Sequence, residues 1–208
     1  MGPPTTRKVR MWRQGTVLDQ GSEGACVGFG WTAELLAKPF APLVQPSKAV
    51  GENKALEIYR AAKGIDEWEG EDYSGTSVLA GAKVVKNSGY IGGYRWCFGI
   101  EDVRDAVLNV GPVVIGIPWY EDMYHTLPSG LVKVGGKVVG GHCITLTGYH
   151  AAMIIEGKIR PVFRWRNSWG TEYGVKGSGF IEYNDLAALL KGTGGEACVP
   201  LDRIIPVI

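Results

Sequence analysis

The first half of the chain has apolar residues at the spacing of amphipathic helices. In the segment CVGFGWTAELLAK, which begins at Cys26, the residues Val27, Trp31 and Leu35 recur every four positions, and Pro39 follows its end. The same periodicity returns in three further segments, NKALEIYRAAKG (53–64), TSVLAGAKVVKNSG (76–89) and IEDVRDAVLNVGP (100–112). The pattern therefore predicts four helices before residue 112.

Short β-rich runs separated by glycines follow residue 112. They are VVIGI, LVKV, KVV, HCITLTGY, MII, IRPVFRW and GFIEY, and the segment KVGGKVV predicts a β-hairpin. A further short helix, DLAALLK, is predicted at 185–191. Helices first and antiparallel strands afterwards predict an α+β fold of two lobes. The helical lobe would span 11–112, and the β lobe would span 113–208 together with residues 1–10.

Composition and charge exclude several classes of partner. The chain of 208 residues has 22 basic and 21 acidic side chains, and its net charge is +1. Nothing in this balance calls for nucleic acid or an acidic membrane surface as a partner. No apolar run approaches the 18 residues of a membrane span, and the first residues lack the apolar core of a signal peptide. These features predict a cytoplasmic protein.

One of the four cysteines, Cys26, stands at a predicted helix start among small residues. A cysteine attacks as its thiolate, and both the positive end of a helix and a nearby imidazolium lower the pKa of a thiol. The small neighbours Gly21, Ser22, Gly24 and Ala25 would leave the sulfur accessible. The alternative is a small buried core residue, which is the commoner role of a single cysteine. The chain has no CxxC pair, and we expect all four cysteines to be reduced.

A histidine that follows two glycines, His142, opens the predicted strand HCITLTGY. Its ring could point from the sheet into a cleft, or it could be an ordinary hydrogen-bonded histidine. A metal site made of His142, Cys143 and His150 is a third possibility. It is disfavoured because adjacent residues of a strand point to opposite faces. We expect neither a metal nor another cofactor.

An asparagine and a tryptophan lie close together in the segment NSWG. Asn167 is at the end of a predicted strand, and Trp169 follows two residues later. The Asn167 amide could hold an imidazole in one orientation, and the indole could keep water from that hydrogen bond. The alternative is a turn in which the tryptophan only packs.

The three segments QGSEGAC, GGHCITLTGY and NSWGTEYGVKGSGFI together resemble the papain-like cysteine peptidases, in which the order is also Cys, His, Asn. The resemblance runs through nearly the whole chain. It implies one domain over 1–208 with a helical lobe, a β-barrel-like lobe and an active-site cleft between them. The usual cysteine before the nucleophile and the aromatic residue after it are replaced by Glu23 and Val27. The 25 residues before Cys26 are too few for an inhibitory pro-segment.

The resemblance implies a role for each of five residues. Cys26 would be the nucleophile, and His142 would be the base that later protonates the leaving amine. Asn167 would orient His142 under the cover of Trp169. Gln20 would donate its side-chain amide to the oxyanion, beside the Cys26 backbone N–H.

Substrate contacts are implied at nine positions of the loops around the cleft. They are Gly24, Gly75, Thr76, Ser77, Val78, Gly116, Gly140, Gly141 and Cys143. None of these residues carries a charge. The sequence therefore predicts a preference for a bulky apolar or aromatic residue at P2, the second residue before the scissile bond.

The predicted function is a cysteine peptidase acting on peptide or protein substrates. Endopeptidase action is favoured because no insertion resembles an occluding loop. Two alternatives remain: an acyl-transfer or ligase-type thiol enzyme, and a non-catalytic papain-like module that binds peptides. A proteinaceous inhibitor is a further candidate partner.

Overall fold

The computed structural model describes residues 7–39, 42, 44–67, 74–192 and 194–204. The helices are α1 (Cys26–Leu35), α2 (Lys48–Lys63), α3 (Val78–Asn87), α4 (Ile100–Asn109) and α5 (Tyr183–Lys191), with a short 3₁₀ helix at Glu121–Tyr124. The strands are β1 (Val9–Met11), β2 (Ile91–Trp96), β3 (Val113–Tyr120), β4 (Val138–Ile155), β5 (Lys158–Arg166), β6 (Ser178–Glu182) and β7 (Glu196–Arg203).

All five predicted helices are present. The largest difference is at α2, which begins at Lys48 rather than near residue 53. The reason is Ser47, whose hydroxyl oxygen accepts a hydrogen bond from the Val50 backbone N–H (3.4 Å) and caps the helix. Ser77 caps α3 in the same way, by accepting from the Ala80 N–H (3.1 Å). Local polar residues thus fix where these two helices start.

One antiparallel sheet organises the chain. Its strand order is β2–β7–β3–β4–β5–β6, and β1 pairs with β4. The predicted α+β class is confirmed, but the barrel-like form is not, because the path ends at β2 and β6 without closing over the described residues. The strand β2 lies within the 11–112 segment and joins the sheet through β7.

Helices cover both faces of the sheet, which is why it stays open. On one face Val27 and Trp31 of α1 pack with Val114 of β3. On the other face Val107 of α4 and Leu186 of α5 join the sheet residues in a second cluster. A closed barrel fills its interior with side chains from its own strands, whereas this sheet buries each face against helices.

The hairpin predicted at KVGGKVV is wrong. The strand β4 begins at Val138 opposite Tyr120 of β3, and the preceding glycines lie against the 3₁₀ helix. The backbone N–H groups of Glu121 and Asp122 donate to the carbonyls of Lys137 (3.0 Å) and Gly135 (3.1 Å). These bonds occupy the groups that a hairpin would have used.

Two glycines inside α1 let the helix approach its neighbours closely. A Cβ atom on Gly28 would lie 2.1 Å from the Ala55 carbonyl oxygen, and one on Gly30 would lie 2.8 Å from the Cys143 sulfur. The helix is therefore held tightly between α2 and β4. This packing brings its first residue, Cys26, to the part of β4 that carries His142.

No helix in the described part of the chain is long and apolar enough to cross a bilayer. All four cysteines lie in the described residues and are free thiols, as expected from the sequence.

Candidate active site

Backbone pairing between distant segments brings Gln20 to Asn167. The Gln20 N–H donates to the Ser168 carbonyl oxygen (2.8 Å), and the Gly170 N–H donates to the Leu18 carbonyl oxygen (3.1 Å). The chain then turns at Gly21, whose φ of 60° favours glycine, toward the start of α1. Two segments about 150 residues apart thus form one wall of the site.

The Gln20 side chain is held at both ends. Its Oε1 accepts from the Ser168 hydroxyl (2.6 Å), and its Nε2 donates to the Glu23 carbonyl oxygen (2.7 Å). An amide nitrogen has two hydrogens, so one N–H remains available to a substrate oxyanion. Ser168 was not predicted as a site residue, and nothing in its local sequence indicates the contact with Gln20.

The half-buried thiol of Cys26 lies at the first residue of α1. Burial raises its pKa, although hydrogen bonds from the backbone N–H groups of Cys143, Val27 and Cys26 act in the opposite direction. The sequence analysis expected the helix start and an imidazolium to lower this pKa; the backbone N–H groups do act in that direction, but burial outweighs them. The Cys143 contact puts the sulfur beside the residue that follows His142.

His142 and Asn167 form the hydrogen bond that the resemblance implied. Their Nε2 and Oδ1 atoms are 2.8 Å apart, and both side chains are buried. Burial lowers the pKa of His142 to about 4, and the Asn167 contact opposes this change. Because an amide oxygen only accepts, Nε2 carries the proton and Nδ1 of the neutral ring is free to act as a base.

Aromatic rings enclose the imidazole. Trp169 stacks on His142 with ring centres 4.6 Å apart, and Trp119 meets it edge-on at 4.7 Å. Tyr124 stacks on Trp169 at 5.4 Å, and Tyr173 meets Trp169 edge-on at 5.2 Å. Sequence analysis identified only Trp169 of this group. The others come from the β3 end, the 3₁₀ helix and the loop after β5, which only the tertiary fold brings together.

A model of the papain family cysteine proteases matches residues 49–189, which is more than half of the chain. The chain belongs to the papain family. The match includes His142 and Asn167 and begins after Cys26.

Individual relatives agree with this assignment. The chain is 32% identical over 80 residues to cathepsin B-like cysteine proteinase 3 of Caenorhabditis elegans, a match that covers 38% of this chain and 20% of that protein. The Ostertagia ostertagi protein of the same name is 32% identical over 85 residues, which cover 40% of this chain and 45% of that protein. The chain thus spans less than half the length of these two relatives.

A solved structure, xylellain, a cysteine protease from Xylella fastidiosa, has a similar fold. The TM-score is 0.68 at 21% identity, and the alignment covers 90% of this chain and 83% of that structure. At this identity the likeness concerns the fold.

In this papain-family chain, three of the nine expected substrate positions lie together on one side of the sheet. Gly116 of β3 pairs with Cys143 of β4 and with Glu196 of β7, so their side chains share a face. A Cβ on Gly116 would lie 3.1 Å from Val78 and 3.8 Å from the Glu196 carboxylate. Cys143 is almost fully buried, with its sulfur beside Gly30.

Glu196 gives this pocket a charge that the sequence analysis did not include. Burial raises the pKa of its carboxyl group, Asp66 raises it further, and the Val78 backbone N–H opposes the rise. The prediction of an uncharged pocket did not take this carboxyl group into account. The reason is that Glu196 follows a glycine-rich loop with no motif, and only the β3–β7 pairing brings it opposite Gly116.

The loop before α3 is held by hydrogen bonds to Asp66. The Thr76 and Ser77 hydroxyls donate to the Asp66 carboxylate at 2.6 and 3.0 Å, and the Ser77 N–H donates at 2.8 Å. Gly24 packs against this loop, because its Cβ would lie 2.6 Å from the Ser74 carbonyl oxygen. Gly75, between these contacts, is half-buried.

The two glycines before His142 face open space. A Cβ atom on Gly140 or Gly141 would have no neighbour within 4 Å, and both residues are exposed. Across the described residues, no three His, Cys, Asp or Glu side chains lie close enough together to hold a metal ion.

Proposed function

We propose that this chain is a cysteine peptidase that hydrolyses peptide bonds through an acyl-enzyme intermediate. The observation that carries the proposal is the buried 2.8 Å bond from His142 Nε2 to Asn167 Oδ1, which leaves Nδ1 as the basic nitrogen. The Cys26 thiol at the start of α1 lies beside the backbone that follows this ring. Family membership supports the same chemistry.

In the first half of the reaction, Nδ1 of His142 takes the proton of the Cys26 thiol as the sulfur attacks the scissile carbonyl carbon. The resulting oxyanion accepts hydrogen bonds from Gln20 Nε2 and from the Cys26 backbone N–H. His142 then gives its proton to the leaving amine, and the C–N bond breaks. In the second half His142 deprotonates a water that attacks the thioester, and the carboxylic acid leaves as the thiol re-forms.

The resting protonation state follows from burial. Burial raises the pKa of Cys26 and lowers the pKa of His142, and both changes favour a neutral thiol beside a neutral imidazole. A thiolate–imidazolium pair contains the same number of protons, so both forms give a bell-shaped dependence of rate on pH. The stability measurement described in the Discussion distinguishes them.

We infer that a peptide binds on both sides of Cys26, as an endopeptidase requires. The pocket at Val78, Gly116 and Glu196 lies on one side, and Tyr124 lies beyond His142 on the other. The open backbone at Gly140 and Gly141 suits pairing with an extended peptide. A proteinaceous inhibitor could bind in the same cleft.

The test combines labelling with turnover. Iodoacetamide at pH 7 should alkylate Cys26 in the wild type, because Nδ1 of His142 takes the thiol proton as the sulfur attacks. Internally quenched peptides should be cleaved by the wild type and not by Cys26→Ala. Cys97→Ala is the matched control, since burial raises the pKa of Cys97 to about 12 and this thiol should neither label nor matter. Labelling without turnover of any peptide would favour the acyl-transfer alternative if an added amine gives product. Neither labelling nor turnover, with peptide binding retained, would favour the binding module and contradict the proposal.

A further inference from the structure

The side of the cleft beyond His142 carries an aromatic surface that the reaction itself does not use. Trp169 stacks on His142 and also on Tyr124, and the two separations of 4.6 and 5.4 Å put Tyr124 within about 10 Å of the imidazole. Tyr124 has 47% of its surface exposed, which is unusual for a ring in such a cluster. Since His142 protonates the leaving amine, the leaving peptide must start at this ring.

A surface pocket of about 310 Å³ opens next to Tyr124. His125, Leu127, Glu172 and Tyr173 are among the residues that line it. Among the described residues that line it, Glu172 carries a carboxyl group and none is a lysine or an arginine. Glu172 is exposed and accepts one hydrogen bond, from the Thr171 hydroxyl (3.2 Å).

The chemistry of this pocket suits a long cationic side chain. A guanidinium stacks favourably on a tyrosine ring and forms paired hydrogen bonds with a carboxylate. Tyr124 and Glu172 offer these two partners in one pocket. An arginine side chain is long enough to extend from the first leaving-group residue, beside the imidazole, to Tyr124, whereas alanine is not.

We propose that Tyr124 and Glu172 form a specificity site that selects arginine or lysine at P1′, the first residue after the scissile bond. This inference rests on the proposed peptidase function and adds the leaving-group preference to it. The site acts on acylation, because the leaving peptide has gone before the acyl-enzyme is hydrolysed.

The experiment uses peptides that are identical except for Arg, Ala or Glu at P1′. Wild type should cleave the Arg peptide with a kcat/KM on the order of 10-fold above the Ala peptide, as expected for one exposed ion pair together with one cation–π contact. Glu172→Gln should lower the Arg value about 3-fold and leave the Ala value unchanged. Tyr124→Leu also removes a ring that stacks on Trp169, so its expected effect is a ratio of the Arg value to the Ala value that falls about 3-fold. Glu156→Gln, at the exposed turn between β4 and β5, removes the same charge elsewhere and should change nothing.

A second measurement follows the same acyl-enzyme with added nucleophiles. Argininamide should compete with water more effectively than alaninamide, and Glu172→Gln should abolish the difference. Equal cleavage of the Arg and Ala peptides by the wild type would overturn the specificity site, and so would an effect of Glu156→Gln as large as that of Glu172→Gln. In either case, hydrolysis of the peptides would still support the proposed peptidase function. No cleavage of any peptide would instead overturn the proposed function.

Discussion

The buried imidazole of His142 should make the stability of the fold fall in mild acid. Burial lowers its pKa from the ordinary value of 6.5 to about 4, so between these pH values the unfolded chain binds a proton that the folded chain does not. The free energy of unfolding therefore has its full value above pH 6.5 and decreases as pH falls toward 4. At about 1.4 kcal/mol for each pKa unit, the loss attributable to His142 is about 2 kcal/mol at pH 5 and about 3 kcal/mol at pH 4.

Urea unfolding of wild type and His142→Gln at pH 7, 5 and 4 measures this loss. All other ionisable groups are common to both proteins, so the difference between the two pH dependences isolates His142. Wild type should lose about 3 kcal/mol more than the variant between pH 7 and 4.

The same experiment in Cys26→Ala separates the two resting states of the pair. If burial alone sets the pKa of His142, the loss should persist without the thiol. A loss that is smaller in Cys26→Ala than in the wild type would mean that a thiolate holds the imidazolium, because such a pair takes its second proton on the sulfur at a lower pH than the imidazole alone would take it. That outcome would refute the neutral pair.

Three further outcomes are expected. Gln20→Ala should lower kcat by about 10- to 1,000-fold with little change in KM, because the amide acts on the oxyanion. Ser168→Ala should lower kcat less, since Ser168 only holds Gln20 in place. An unchanged kcat of Gln20→Ala in steady-state assays would mean that Gln20 does not contact the oxyanion. Peptides with Arg or Phe at P2 should both be cleaved. Glu196→Gln should lower kcat/KM for the Arg peptide about 10-fold and leave kcat/KM for the Phe peptide unchanged. An equal decrease of kcat/KM for both peptides would mean that Glu196 does not face the substrate. Adding reductant should leave Tm unchanged in a thermal scan, because all four thiols are free, whereas losing a disulfide worth about 2–4 kcal/mol would shift it by several degrees.

Local signals in the sequence were enough to identify the helices and most strands of the sheet. The four-residue spacing of Val27, Trp31 and Leu35 and the cap at Ser77 act over one or two turns, so no distant contact is needed to read them. The strands β1, β2 and β7 were missed. β1 has only three residues and pairs with the distant β4. β2 contains two consecutive glycines, and β2 and β7 pair with each other.

The sequence by itself was enough to predict the reacting residues, and the fold decided their environment. Cys26, His142, Asn167 and Gln20 were predicted because the three segments that contain them together resemble the papain-like peptidases. Their pKa values could not, because desolvation depends on what surrounds a group and here reverses the effect expected from the helix start. Glu196 likewise comes to lie opposite Gly116 only through the pairing of β3 with β7, since hydrogen bonding between strands joins residues that are far apart in the chain.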